Sequence, residues 1–219
     1  MICYASHTGT GRNLEALRQA RWRIFVSRCS RSWAGPAFLR DLATFDGYAL
    51  DPGAWADHNA GRPFDEDQFE RLIELLGAGA DFIVLPDRVA GGLASLELSV
   101  RWLNRCLGTG APRVLIAVQN GMEPADLAPL VGPNVGIFLG GSTDWKLRRA
   151  VEWGRFCHQH GCYYHFARVN TVERFALAHD AGADSVDGTS ATRYATTLPL
   201  LERGRNQLSL LNVRREAAA

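Results

Sequence analysis

The feature that most limits what this chain can become is a rhythm of eight short apolar runs separated by amphipathic stretches. The runs are Ile2–Ser6, Ile24–Ser27, Tyr48–Leu50, Phe82–Leu85, Val114–Val118, Val135–Leu139, Tyr163–Phe166 and Ser185–Val186. Each is too short for a helix, and most are rich in Val, Ile, Phe or Tyr, as strands buried on both faces must be. Between them apolar residues recur three and four apart, as in Leu14, Leu17 and Ala20, or Phe69, Leu72, Ile73 and Leu76, which is the spacing of a helix with one buried face. Eight strands alternating with helices close more naturally into a parallel barrel than spread into a doubly wound open sheet. The expected fold is therefore α/β, a single (β/α)8 TIM barrel over residues 1–215, with 216–219 as a frayed tail.

Helix ends support the same parsing. Asp65, Thr171 and Thr143 stand where N-caps are wanted, and Gly77, Gly161 and Gly182 where helices stop. The second βα unit, Arg28–Gly47, is irregular: it holds Pro36, the aromatics Trp33 and Phe38, and Arg28, Arg31 and Arg40. It reads as a degenerate helix with its aromatics packed inward; the other reading is a basic, aromatic loop at the barrel mouth.

Composition sets outer limits. With 47% apolar and 21% charged residues the chain can bury a full-sized core, and a net charge of +1 neither announces nor excludes a nucleic acid. No apolar run is long enough to cross a membrane and no signal peptide is visible. Five irregularly spaced cysteines argue against a disulfide framework and for a reducing cytoplasm.

In a barrel of this kind the site is built at the C-terminal ends of the strands. The residues there are His7, Ser27, Asp51, Asp87, Gln119, Gly140–Gly141, Arg168 and Asp187. Three carboxylates crowding one mouth repel each other, and that cost suggests a use. One carboxylate to attack an anomeric carbon and another to move protons would suit cleavage of a glycosidic bond. Gln119 offers both a donor and an acceptor, and Gly140 and Gly141 let the backbone approach a flat ligand.

Several segments then resemble, in order, the tRNA-guanine transglycosylases. Gly182-Ala-Asp-Ser-Val-Asp187 with Thr192-Arg193 is similar to the family's nucleophile motif, and Leu50-Asp-Pro-Gly53 to its Asp-Ser-Gly-Gly loop. Leu85-Pro-Asp87 stands where the family has a base-recognising aspartate. Val118-Gln-Asn-Gly121, Gly136-Ile-Phe-Leu-Gly-Gly141 and Arg168-Val-Asn-Thr171 resemble further family segments. The resemblance implies that Asp187 attacks C1′ to form a covalent aspartyl–sugar intermediate and that Asp51 is the general acid/base. It also implies that Asp87 and Gln119 bind the base and that Gly140 and Gly141 line its pocket. The zinc-binding Cys and His residues of the tRNA-acting members have no counterpart after Asp187. The short relatives that insert 7-deazaguanine into DNA are the better match. On that reading DNA is the polymer, tRNA is less favoured, a partner protein could add grip, and no metal or organic cofactor is required. Arg168, Arg193 and the Thr189–Ser190 helix start become candidates for backbone phosphates.

Other clusters point nowhere as sharply. Cys157, His158, His160 and Cys162 surround a helix end and are expected to be structural, with His165 a satisfied core histidine. Trp55 and Trp145 lie behind catalytic loops and are candidates to stack on a base. Three alternatives remain: a transglycosylase acting on RNA, a non-catalytic nucleic-acid binder, and a small-molecule barrel enzyme for a phosphosugar or nucleoside. The last usually wants a lysine at a strand end, whereas Lys146, the chain's single lysine, falls at a helix start.

Overall fold

The computed structural model describes residues 1–30 and 33–216, with side chains through residue 206; Arg31 and the 217–219 tail lie outside the described residues. Eight strands run in parallel: β1 (Ile2–Ser6), β2 (Arg23–Ser27), β3 (Tyr48–Asp51), β4 (Ile83–Val84), β5 (Val114–Val118), β6 (Val135–Leu139), β7 (Tyr164–Phe166) and β8 (Ser185–Gly188). They follow one another around a closed barrel, and β8 pairs back onto β1 with Tyr4 opposite Asp187. That pairing makes the fold a (β/α)8 barrel and removes the open-sheet alternative.

Alternation along each strand divides the core in two. Outward residues such as Ile24, Val26, Leu50, Val114, Ile116, Val118 and Phe166 pack with the helices in one continuous cluster. Inward residues Tyr4, Ala49, Phe82, Val84, Leu115 and Ala117 form a second cluster. Its middle is aromatic, with Tyr4 edge-on to Phe82 at 5.2 Å between ring centres and Phe138 stacked on His165. At the N-terminal end Asp81 receives hydrogen bonds from Tyr4 Oη (2.9 Å) and Arg23 (2.8 Å), which closes the barrel floor.

The helices that matter for the mouth are α1 (Gly11–Gln19), α2 (Pro36–Leu42), α3 (Ala54–Asn59), α4 (Glu66–Leu76), α5 (Leu93–Leu107), α6 (Pro124–Leu127), α7 (Thr143–His160), α8 (Val172–Asp180), α9 (Ser190–Arg193) and α10 (Thr197–Glu216). Asp65 and Thr171 cap α4 and α8 through their side chains. Thr143 does not cap α7: Ser142 is the N-cap, and its hydroxyl accepts from Asn120 instead, tying the β5 and β6 loops together. Gly161 and Gly182 adopt the left-handed backbone after α7 and α8, whereas Gly77 stays right-handed and starts a 3-10 turn.

The second βα unit is the short α2 with Trp33 and Phe38 buried beneath it. Arg28 is 3% exposed and is spent on structure, donating to Asp57, to Gln68 Oε1 (2.6 Å) and to the Pro52 carbonyl (2.8 Å). Among the described residues no helix is long and apolar enough to cross a membrane.

Candidate active site

Because inward residues recur every second position, the last inward position of several strands lands at the mouth. This places Asp51, Gln119 and Asp187 there, with Asp87 arriving from the loop after β4. The acids feel one another: the charge of Asp187 bears on Asp51, and that of Asp51 on Asp87.

Each of the three carboxyls has hydrogen-bond partners within the protein. Asp51 Oδ2 accepts from the Gly53 N–H at 3.2 Å, and Ser27 supplies a further hydrogen bond. Burial dominates all the same and, with Asp187, pushes the Asp51 carboxyl up to about 6. Asp87 rises to about 7, first through burial and then through Asp51. Its Oδ2 lies 3.4 Å from Gln119 Nε2. Gln119, buried behind it, also donates to Ser95 Oγ at 2.8 Å. Both amide protons of Gln119 are thereby engaged inside the protein, on Ser95 and Asp87. Asp187 Oδ1 lies 3.0 Å from His165 Nε2 and accepts from the Arg168 N–H at 3.1 Å.

Arg168 makes this second contact through unusual backbone. Its φ is +59°, a left-handed value that an arginine adopts only when its surroundings impose it. Here the Val169 N–H donates to the Asp187 carbonyl at 2.6 Å, while the Arg168 carbonyl accepts from Arg174 at 3.4 Å. The guanidinium donates to the Gly141 carbonyl and lies 5.2 Å from the centre of the Trp55 ring. Behind the same turn the ammonium of Lys146 is wholly buried, donating to the Ala167 carbonyl against the face of Phe166. Burial first, and then the charge of Arg168, bring Lys146 down to about 7.

Other residues expected at the site sit differently. An added Cβ on Gly141 would come 2.7 Å from Trp145, so that space is filled by the protein's own tryptophan, and Trp145 is core rather than a ligand platform. Gly140 ends β6 with its N–H on the Val118 carbonyl. The Ser190 N–H is taken by Asn170 Oδ1 at 3.0 Å, while Thr189 and Arg193 are exposed. His7 is bound to Asp41 of α2. Trp55 is the exposed aromatic of the mouth, 54% accessible.

Sequence reasoning missed Ser95, and it named Ser27 as a strand-end residue, His165 as a core histidine and Lys146 as a helix-start lysine without giving any of them a role at the site. The signal for His165 was present, since Tyr163, His165 and the inward face share one alternation. A cavity of about 580 Å³ lined by Cys157, Cys162, Arg113 and Tyr163 lies at the other end of the barrel, near the starts of β7 and β8. Among the described residues no group of three or more His, Cys, Asp or Glu side chains is placed to hold a metal ion.

No family model matches the chain, and no curated protein does. Solved structures do. One described as native KDPGal superposes with a TM-score of 0.58 at 12% identity, covering 94% of each chain. A putative fructose-1,6-biphosphate aldolase from Coccidioides immitis gives 0.59 at 13% identity, covering 86% of this chain and 73% of that one. An HpcH/HpaI aldolase from Desulfitobacterium hafniense gives 0.56 at 10% identity, covering 97% and 92%. Identities this low establish the barrel fold alone.

The transglycosylase resemblance is corrected on these findings: the likeness is to aldolase-type barrels. A (β/α)8 barrel builds its site on the loops after the strands whatever the chemistry, so polar and glycine residues at strand ends do not by themselves identify a function. With the resemblance fall the aspartyl–sugar intermediate, 7-deazaguanine as substrate, DNA and tRNA as partners, and the phosphate-backbone roles of Arg168, Arg193, Thr189 and Ser190.

Proposed function

We propose that the protein is a small-molecule enzyme of the aldolase kind, making or breaking a carbon–carbon bond beside a carbonyl by acid–base catalysis. One observation carries this reading: two carboxyls held near neutrality, Asp51 at about 6 and Asp87 at about 7, face a third, Asp187, anchored through a single oxygen. Acids tuned to neutral pH are proton carriers, and a protonated carboxyl is a strong hydrogen-bond donor to a developing oxyanion.

In the cleavage direction Asp187 takes the proton of the hydroxyl beside the breaking bond. The bond's electron pair moves through the neighbouring carbon onto the carbonyl oxygen, which receives the proton of Asp87. The aldehyde leaves, and the enol takes a proton at carbon from Asp51 while its hydroxyl proton returns to Asp87. Deprotonated Asp51 and protonated Asp187 re-equilibrate with solvent. Arg168, at the mouth and free of any carboxylate salt bridge among the described residues, suits an anionic group on the substrate. Lys146, turned onto the Ala167 carbonyl, takes no step.

A panel of hydroxylated 2-oxo acids and ketose phosphates, with carbonyl products followed by coupled dehydrogenases, tests the reading. At least one member is cleaved, and Asp187→Asn slows that cleavage by roughly 100-fold or more. If no member is cleaved or formed, the reading fails.

A further inference from the structure

His165 is sealed inside the barrel, where a plain packing role would be enough to explain a flat ring. Its ring does pack, 4.9 Å from Phe138 at an interplanar angle of 7° and 5.9 Å from Phe25 at 22°. Its two nitrogens are not idle, however. Nδ1 lies 2.7 Å from Ser185 Oγ and Nε2 lies 3.0 Å from Asp187 Oδ1. An ionised carboxylate only accepts, so the nitrogen facing Asp187 carries the proton; in the neutral ring Nδ1 is then bare, and the Ser185 hydroxyl donates to it. Oδ1 of Asp187 thus receives two donors, His165 Nε2 and the Arg168 N–H, while Oδ2 accepts no hydrogen bond from the described residues.

We infer that His165 is a positioning residue for Asp187, gripping Oδ1 from within the barrel so that Oδ2 alone is presented to the substrate. The inference rests on Asp187 being the base of the proposed reaction. The stacked aromatics fix the plane of the ring and Ser185 fixes its tautomer, so the carboxylate cannot swing. The Arg168 N–H fixes the same oxygen from the mouth side. A base whose reactive oxygen is chosen in advance avoids reorganisation during proton transfer.

The test uses two substitutions of similar bulk. Asparagine at 165 can keep the Nδ1-side contact with Ser185 but is too short to reach Asp187, whereas glutamine extends an amide donor toward the Nε2 position. His165→Asn lowers kcat for cleavage by roughly 10- to 100-fold, the loss expected for one hydrogen bond to a charged group, with KM within about twofold. His165→Gln recovers most of the loss. Both variants keep the exchange of the carbonyl product's carbon-bound hydrogens with solvent, a step that uses Asp51 and Asp87 but not Asp187; general damage to the barrel would depress both reactions. Independently of activity, long-range 1H–15N correlations of the unliganded protein show Nε2 protonated and Nδ1 bare, and Asp187→Ala moves the Nε2 resonance. A bare Nε2, an unchanged kcat in His165→Asn, or no recovery in His165→Gln overturns the inference. If the tautomer is as stated and follows Asp187, but no substrate is ever cleaved, His165 still holds Asp187 and it is the aldolase reading that fails.

Discussion

Arg168 and Trp55 meet across the mouth of the barrel, the guanidinium carbon 5.2 Å from the centre of the indole ring. One comes from the turn after β7 and the other from α3, so the contact links two separate loops over the acids. Trp55 is 54% exposed, and little of the core depends on it. Trp55→Ala therefore leaves the melting temperature within about 2 °C, as for surface substitutions generally. It raises KM by roughly 2- to 5-fold, because Arg168 loses a cation–π partner and with it part of its fixed aim. Thermal melts and initial rates measured on one preparation check both halves.

The raised acids make a pH prediction whose sign is fixed. Asp51 and Asp87 titrate at about 6 and about 7 in the folded protein and near 4 when unfolded. Between those values the folded chain holds more protons than the unfolded one, so stability falls as pH rises from about 4 to about 7. Asp51→Asn and Asp87→Asn each remove a buried charge. Each variant is accordingly more stable than the parent at pH 8 and close to it at pH 4, read as urea midpoints at the two pH values.

Two glycines, one within α7 and one just past its end, separate crowding from backbone strain. A Cβ on Gly154 would lie 1.8 Å from the Ala181 carbonyl oxygen, whereas Gly161 has φ +60° with open space around it. Gly154→Ala costs roughly 3 kcal/mol by overpacking two helices, and Gly161→Ala about 1 kcal/mol by forcing alanine into left-handed backbone. Chemical denaturation of the two variants gives the comparison directly.

The barrel was legible because its signal is repeated. Eight strand-length runs and the caps at Asp65 and Thr171 all point to one architecture, and each strand fell within a residue or two of its expected bounds. The positions of Asp51, Gln119 and Asp187 at the mouth follow from the same alternation, whereas Asp87 comes from the loop after β4. What those residues bind does not follow, because a strand-end acid reads alike in barrels of different chemistry. Gln119 looked free to read a ligand with both ends of its amide, yet its nitrogen is taken by Ser95 and Asp87. Gly141 looked like room for a ligand, yet Trp145 fills the space. Lys146 looked displaced into a helix, and only the packing of α7 on β7 brings its ammonium to the Ala167 carbonyl. Each of these turns on which long-range partner a side chain finds, and one-dimensional spacing carries no record of that.

Three carboxyls divide the proposed reaction between them, and solvent isotope exchange separates their roles. The carbonyl product of a cleaved substrate is incubated in deuterium oxide with the wild-type protein, Asp187→Asn or Asp51→Asn, and loss of the proton signal beside the carbonyl is followed by NMR. Wild type is expected to exchange that position, and Asp187→Asn to do so within about threefold of the wild-type rate despite its loss of cleavage, because only Asp51 and Asp87 serve the enol. Asp51→Asn loses exchange and cleavage together. Exchange undiminished in Asp51→Asn, or absent from the wild type, would rule out this division of roles.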